Sequence, residues 1–221
     1  MEDVLAVYEQ RNPCEPRLNR ARLCFDERPC QLLDDVVAPL PAKPGKTAGE
    51  DNEYVRRGTC VVLLAYDLDT GKRYTQTRRQ RTKADYARFM QQIISTHYAH
   101  AGRIDLVRDN LNTHKYGSFY EHLPLEQARL LSRKLVFHFT PKHGSWLNMA
   151  EIEFSALARQ CLNRRIGSIG ELARQVQLWT NERNQRAVRV HWSFTVAAAE
   201  DKLEGWYQKV NPTNKPPDSI N

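Results

Sequence analysis

The chain has 221 residues, 41% of them hydrophobic, and 33 lysines and arginines against 26 acids give it a formal net charge of +7. That is enough for one sizeable domain with a packed core but short for two. There is no run of 18 apolar residues and no apolar leader, so we expect a cytoplasmic protein without a membrane span. The excess of positive charge favours a polyanionic partner.

The cysteine pattern argues against a metal-binding or disulfide-linked scaffold. The count is odd and no two cysteines are spaced as C-x-x-C, so neither a zinc ribbon nor a full set of disulfides is indicated. We therefore expect reduced and mostly buried thiols. The cysteines are Cys14, Cys24, Cys30, Cys60 and Cys161.

Hydrophobic patterning predicts strands first and then alternating helices and strands. Residues 59–65 are apolar almost without interruption, which is typical of a strand buried on both faces. Thr82 and Ser168 each precede an amphipathic segment and have an acid three residues later, as at helix N-termini. The predicted elements in chain order are a strand at 22–27, a long loop at 35–54, a hairpin at 58–78, a helix at 82–101, a strand at 103–110, a helix at 118–134 interrupted at Pro124, a strand at 134–141, and helices at 147–165 and 168–185.

This order predicts an α/β fold, a mixed five-stranded sheet flanked by helices. We expect one folded domain over residues 21–203. Residues 1–20 form a lead-in, and the proline-rich segment 204–221 forms a flexible tail.

Two acids lie at predicted strand ends, where ligand chemistry gathers in such sheets. Asp26 ends the first strand and Asp109 ends the strand at 103–109. If these strands are neighbours, the two carboxylates repel each other and each raises the other's pKa unless a cation neutralises them. Mg²⁺ is such a cation, although each Asp could equally be ordinary turn chemistry. Asp105, inside the second strand, is assigned a supporting or surface role.

A third acid comes from the start of the helix at 147–165, where Glu151 and Glu153 compete. At about 100° per residue, Glu151 falls within the arc of apolar side chains and Glu153 falls outside it. A carboxylate on a core-facing stripe needs a partner such as a metal. We therefore predict Glu151 as the third ligand and Glu153 as a solvent-facing residue.

Three blocks give the sequence a specific resemblance: CFDE (24–27), VRDNLNTH (107–114) and TPKHGSWLNMAEIEFSAL (140–157). They resemble the catalytic blocks of mariner-superfamily DDE transposases, and the bacterial insertion-sequence branch called the six-thirty family is the most similar. RVHWSFTVAAAEDKL (189–203) resembles the C-terminal end of that family. The resemblance implies an RNase H-like fold, with Asp26, Asp109 and Glu151 as catalytic residues and as ligands of two Mg²⁺ or Mn²⁺ ions. It also implies DNA cleavage at element ends and joining of 3′-hydroxyl ends to target DNA.

Several residues of these blocks are assigned supporting roles. Asn110 and His114 follow the second Asp and either orient a ligand or form a hydrogen-bonded turn, and Asn148 precedes the Glu helix. His114 is a poor ligand for Mg²⁺, which favours oxygen. Trp146 either packs in the core or stacks on a base. Arg108, where an apolar residue is expected, faces either DNA or solvent.

Basic residues are candidates for DNA contact. Arg78, Arg79 and Arg81 lie in a cationic segment at 72–83, and such a segment either follows a DNA backbone or is a solvated face. Lys142 and His143 precede the Glu helix, whose N-terminus favours anions such as a scissile phosphate.

The resemblance also implies partners: double-stranded DNA of the terminal repeats and target, and a homodimer on DNA. About 25 residues precede Asp26, too few for the family's helix-turn-helix region, so we expect a partner reading frame to supply it. The alternatives are a truncated, non-catalytic DNA-binding relic and an RNase H-like nuclease of another substrate class. For the transposase, the family implies a bacterial, nucleoid-associated location.

Overall fold

The computed structural model describes residues 1–9, 19–49 and 51–210. Within them, five strands form one mixed sheet in the order β3-β2-β1-β4-β5. The strands are β1 Arg20–Asp35, β2 Tyr54–Asp67, β3 Arg73–Arg78, β4 Arg103–Arg108 and β5 Leu135–Phe139. The α-helices are α1 Glu2–Glu9, α2 Lys83–His97, α3 Tyr116–His122, α4 Leu125–Lys134, α5 Met149–Gln160, α6 Ile169–Gln185 and α7 Val196–Val210, with single 3₁₀ turns at Asn112–His114 and Ser145–Leu147.

β1 is longer than the predicted strand at 22–27, and its antiparallel pairing with β2 forms a hairpin that was not predicted. β1 pairs antiparallel with β2 from Leu23 opposite Asp67 out to Asp35 opposite Tyr54, with a register shift at Leu32/Leu33. The outer part of β2, residues 54–59, is exposed. This end of β2 extends beyond the core and is held by backbone pairing, so it carries no apolar pattern that would have marked it in the sequence.

The centre of the sheet joins the two halves of the chain. β1 runs parallel to β4, with Cys24 opposite Val107, and β4 runs parallel to β5. The prediction that the strands carrying Asp26 and Asp109 are neighbours is confirmed.

Both faces of the sheet are covered by helices. Alternate residues of β2 point to opposite sides: Val62 and Leu64 join the core formed with α1, α5 and α6. Val61 and Leu63 join the core formed with α2, α3 and α4. This confirms the prediction of a strand buried on both faces, except that Thr59 at its edge is exposed.

The helix boundaries agree with the capping signals. Thr82 caps α2 in a reciprocal capping box with Asp85, Ser168 caps α6, and Pro124 separates α3 from α4. The predicted helix at 147–165 is too long, because α5 ends at Gln160, where the N–H groups of Cys161 and Leu162 both bond to the Leu157 carbonyl.

Helices also form at both ends of the described chain, α1 within the predicted lead-in at 1–20 and α7 beyond the predicted helices. In α1, Val4 and Leu5 are buried in the core. α7 extends through residues 204–210, which were predicted to belong to the tail, while residues 211–221 lie outside the described part. No helix within the described ranges is long and apolar enough to cross a membrane.

The expectation of reduced thiols is confirmed for four cysteines. Cys24, Cys60 and Cys161 are buried, Cys30 is partly buried, and all four are free thiols. Cys14 lies outside the described residues.

Candidate active site

The first two predicted acids lie at equivalent positions of neighbouring strands. Asp26 is two residues beyond Cys24 and Asp109 is two residues beyond Val107, and Cys24 and Val107 are paired in parallel register. Asp26 does not end its strand as predicted, because β1 continues to Asp35 with β2 as its partner. It lies instead where the parallel pairing with β4 stops, and this leaves room for polar side chains.

Asp26 carries a strongly perturbed carboxyl group. Burial is the main cause that raises its pKa to about 8, and the charges of Glu151, Asp109 and Glu27 add to this increase. The backbone N–H of Glu27, which donates to Asp26 Oδ1 at 2.8 Å, opposes it. The three predicted acids are thus close enough for the other two charges to act on Asp26.

Asn148 connects the Glu helix to the first strand. Its side-chain amide donates to the Phe25 carbonyl at 2.9 Å and to Asp26 Oδ2 at 3.2 Å. Its Oδ1 accepts from the Ala150 N–H at 3.1 Å and so caps the N-terminus of α5. Glu151 therefore lies in the first turn of a helix whose start is bound to Asp26 and its neighbour.

The helical-face prediction for the two glutamates was wrong. Glu153 is 0% exposed, whereas Glu151 is only partly buried. Glu153 accepts from Arg73 Nε at 2.5 Å and Arg73 Nη2 at 2.7 Å, and from Arg183 at 3.1 and 3.2 Å. These partners come from β3 and α6, distant in sequence, so helical periodicity could not reveal them. Because Glu153 is fully engaged, Glu151 has the carboxylate that is available on α5.

His114 links Asp109 to a buried acid, Glu27, that was not among the predicted site residues. Its Nδ1 lies 3.3 Å from Asp109 Oδ1 and its Nε2 lies 2.9 Å from Glu27 Oε2. Glu27 is also 3.2 Å from Arg81, although neither of its ion pairs has hydrogen-bond geometry. Burial lowers the pKa of His114, but Asp109 and Glu27 outweigh it and the net pKa is raised. The sequence signal that could have identified Glu27 is its position directly after Asp26 in the CFDE block.

Arg108 faces neither DNA nor solvent, contrary to both predicted alternatives. It is 0% exposed, and its guanidinium carbon lies 4.3 Å and 4.7 Å from the ring centroids of Phe137 and Phe139. Its Nη1 donates to the Asp109 carbonyl at 3.0 Å. The two aromatic rings of β5 stabilise the cation, which explains a charged residue at an apolar position.

Asp105 belongs to a separate buried ion cluster. It accepts from Arg20, from Arg103 at 2.8 Å and from His138 at 3.0 Å. Burial raises its pKa, but the hydrogen bonds from His138, Arg20 and Arg103 outweigh it and the net pKa is lowered. It is not a surface acid, and no hydrogen bond among the described residues joins it to Asp109.

The predicted DNA-contact residues divide into two groups. Arg79, Lys142 and His143 are exposed, and His143 has a positive φ of 64°. Arg78 is partly buried and donates to Gln76 at 2.7 Å, and Arg81 is exposed but paired with Glu27. Of the supporting residues, Asn110 is exposed beside Asp109.

Part of the cationic segment at 72–83 is structural. Arg73 is 1% exposed and binds Glu153, so it does not present its charge to a ligand. Lys83 pairs with Glu121 at 2.9 Å.

The donor set fits a hard divalent cation. Asp26, Asp109 and Glu151 offer carboxylate oxygens, and a cation would offset the burial and the carboxylate repulsion that together raise the pKa of Asp26. As placed, no three His, Cys, Asp or Glu side chains among the described residues stand close enough together to hold an ion. Asp109 Oδ1 faces His114 and the Leu111 N–H, and no hydrogen bond among the described residues engages its Oδ2.

Solved structures with the same fold are transposase complexes. The Mos1 mariner paired end complex with Mn matches with a TM-score of 0.52 at 15% identity, covering 96% of this chain and 62% of that chain. The Mos1 strand transfer complex matches with a TM-score of 0.55 at 14% identity, covering 97% and 62%. The chain thus spans less than two thirds of the Mos1 chain. At this identity the likeness concerns the fold, and it confirms the predicted RNase H-like mixed sheet.

Sequence comparison gives the family. No curated protein matches the chain in sequence. A family model described as DDE superfamily endonuclease matches residues 21–173, which include Asp26, Asp109 and Glu151. The chain therefore belongs to the DDE superfamily of endonucleases.

Proposed function

We propose that this chain is the catalytic domain of a DDE transposase of the mariner superfamily, in the bacterial insertion-sequence branch called the six-thirty family. It cleaves DNA at element ends and joins 3′-hydroxyl ends to target DNA, with two Mg²⁺ or Mn²⁺ ions as cofactors. The observation that carries this proposal is the set of carboxylates around Asp26, whose pKa of about 8 reflects burial beside Glu151 and Asp109.

The three acids have the proposed roles of metal ligands. Bound ions would activate the attacking oxygen and stabilise the leaving oxygen of the phosphodiester. Asp26 and Asp109 offer their carboxylates from adjacent strands and Glu151 offers its own from the first turn of α5. None of the three is neutralised by an arginine or lysine in the ion pairs described.

Neighbouring residues would hold these ligands in place. Asn148 donates to Asp26 and fixes the start of α5, so it orients two ligands at once. His114 contacts Asp109 from the protein interior, and Glu27 holds the opposite side of its ring. Such outer contacts orient ligands and tune metal affinity.

The proposed partners are element-end and target DNA, a second copy of the chain, and a helix-turn-helix region in another reading frame that reads the terminal repeats. The similar Mos1 structures are a paired end complex and a strand transfer complex, which supports DNA as the partner. We place this activity in the bacterial cytoplasm at the nucleoid.

Metal-dependent nicking of supercoiled DNA tests the proposed function. We expect nicking with Mg²⁺ or Mn²⁺, none with EDTA, and none for Asp26→Asn or Asp109→Asn, because each variant loses a ligand charge. Asp34→Asn is the matched control, a partly exposed acid of β1 paired with Arg57. Nicking by both ligand variants at the parent rate would contradict the assignment.

The substrate distinguishes the transposase from the alternatives. Tight DNA binding without metal-dependent cleavage would favour a non-catalytic relic. Preference for an RNA–DNA hybrid over duplex DNA would favour a nuclease of another substrate class.

The salt dependence of DNA binding tests the cationic surface. We expect Arg79→Gln combined with Lys142→Gln to weaken binding to all DNA sequences, because both side chains are exposed. The slope of log K against log[salt] should fall by about 0.9 for each phosphate that the double variant no longer neutralises. Arg129→Gln on α4, exposed and paired with Glu126, is the control. An unchanged slope in the double variant would remove Arg79 and Lys142 from the DNA path.

A further inference from the structure

Trp146 is a half-exposed aromatic residue whose ring is nevertheless held in place. Its side chain is 51% exposed. One face is backed by Trp192, with ring centroids 6.3 Å apart and planes 13° apart, and Phe194 packs against it at 5.5 Å and 65°. The ring is therefore ordered by packing while much of it is open to solvent.

The backing residue is itself fixed. Trp192 packs edge-on against Tyr8 at 5.1 Å, and its indole N–H donates to the Phe194 carbonyl at 2.6 Å. An aromatic platform assembled in advance loses little conformational entropy when a ligand stacks on it.

The turn that carries Trp146 is attached to the candidate active site. The Tyr8 hydroxyl donates to the Leu147 carbonyl at 2.5 Å, and the next residue, Asn148, donates to Asp26. Trp146 is thus two residues from a side chain bonded to a proposed metal ligand. Lys142 and His143, both exposed, lie in the same loop.

We propose that Trp146 is a stacking platform for an unpaired DNA base beside the reacting phosphate. The inference rests on the proposed function and names a subsite of it. An aromatic face next to exposed cations is the combination that binds single-stranded nucleic acid, since the ring stacks on a base while the cations contact the backbone. A base inside a duplex has both faces covered by its neighbours. The occupant is therefore an unpaired base, and the 3′ end that the proposed cleavage frees at the active site is the end that supplies it.

The test is a fluorescence titration in the Glu151→Gln background, so that DNA is not cut. The probe is a duplex with a short 3′ overhang that carries 2-aminopurine, whose emission is quenched on stacking. We expect quenching with Trp146, retained quenching with Trp146→Phe, and no quenching with Trp146→Ala. Affinity for the overhang should fall at least about fivefold in Trp146→Ala, the lower end for one stacked base. Affinity for a blunt duplex should not change.

Tyr120→Ala is the matched control, because Tyr120 is 48% exposed and lies on α3, among the helices that cover the opposite face of the sheet. Equal loss of affinity for overhang and blunt DNA in Trp146→Ala would overturn the platform. So would a shift of the protein from dimer to monomer, which would assign the ring to an interface between copies.

Failure of this inference and failure of the proposed function give different results. If the parent chain does not nick DNA but quenching still depends on Trp146, the platform stands without catalysis. If the parent nicks DNA and quenching is absent, catalysis stands and the platform is wrong.

Discussion

Glu151→Gln is expected to abolish metal-dependent nicking with little change in the free energy of unfolding, whereas Glu153→Gln is expected to unfold more easily. The two carboxylates lie two residues apart on α5, and the substitution is the same isosteric loss of charge. Glu151 is partly exposed and has no arginine or lysine among its described partners. Glu153 is 0% exposed and neutralises Arg73, which is 1% exposed, together with Arg183.

The cost of Glu153→Gln comes from the cations that it leaves behind. Removing one partner of a buried ion pair costs about 3–5 kcal/mol, because the remaining charge is desolvated without compensation. Arg183 has a side-chain exposure of 14%, so part of its charge can turn to solvent. Arg73 is buried and cannot turn to solvent, so the decrease in the free energy of unfolding should be large.

Urea denaturation and plasmid nicking of both variants measure this contrast. Each variant is the control for the other, since both substitutions lie on the same helix and remove the same charge without changing the size of the side chain. Loss of nicking in Glu153→Gln at full stability, with normal nicking in Glu151→Gln, would contradict this assignment and make Glu153 the third ligand.

In the metal-free protein, the stability of the Asp26→Asn variant relative to the parent is expected to increase as pH rises. The folded pKa of Asp26, about 8, lies above the ordinary value of 3.8. Between these values the folded chain binds more protons than the unfolded chain, so stability falls as pH rises towards 8. Asn is neutral at every pH and removes this slope, although it loses one of the two hydrogen bonds that the carboxyl accepts.

Thermal unfolding in EDTA at about pH 5 and pH 8 measures the effect. The Tm of the variant minus that of the parent should increase towards pH 8 by more than about 2–4 °C, the shift for 1 kcal/mol in a chain of this size. His114 and His138 also have raised pKa values, so they too lose stabilisation as pH rises. Because both are present in the parent and the variant, the difference isolates Asp26. A constant difference across this range would show that Asp26 is ionised in the folded protein at pH 5.

The regular elements of this fold follow from local signals in the sequence. The capping box at Thr82 and Asp85 and the break at Pro124 each act within a few residues, so the sequence alone was sufficient to place the start of α2 and the break between α3 and α4. The apolar run at 59–65 marked a strand covered on both faces. The full length of β2 was not predictable, since its outer end, residues 54–59, is exposed and is held by pairing with β1 rather than by burial.

The sequence by itself determined the α/β order, the two strands that carry Asp26 and Asp109, and the helix that carries two glutamates. Only the tertiary structure decided which charges are structural. Arg73 and Glu153 are 80 positions apart and neutralise each other in the interior, and Arg108 is buried against two rings of β5. Periodicity measures the average polarity of a helix or strand face. It does not detect a partner of opposite charge from another element, and such a partner is what allows a charged residue to be buried.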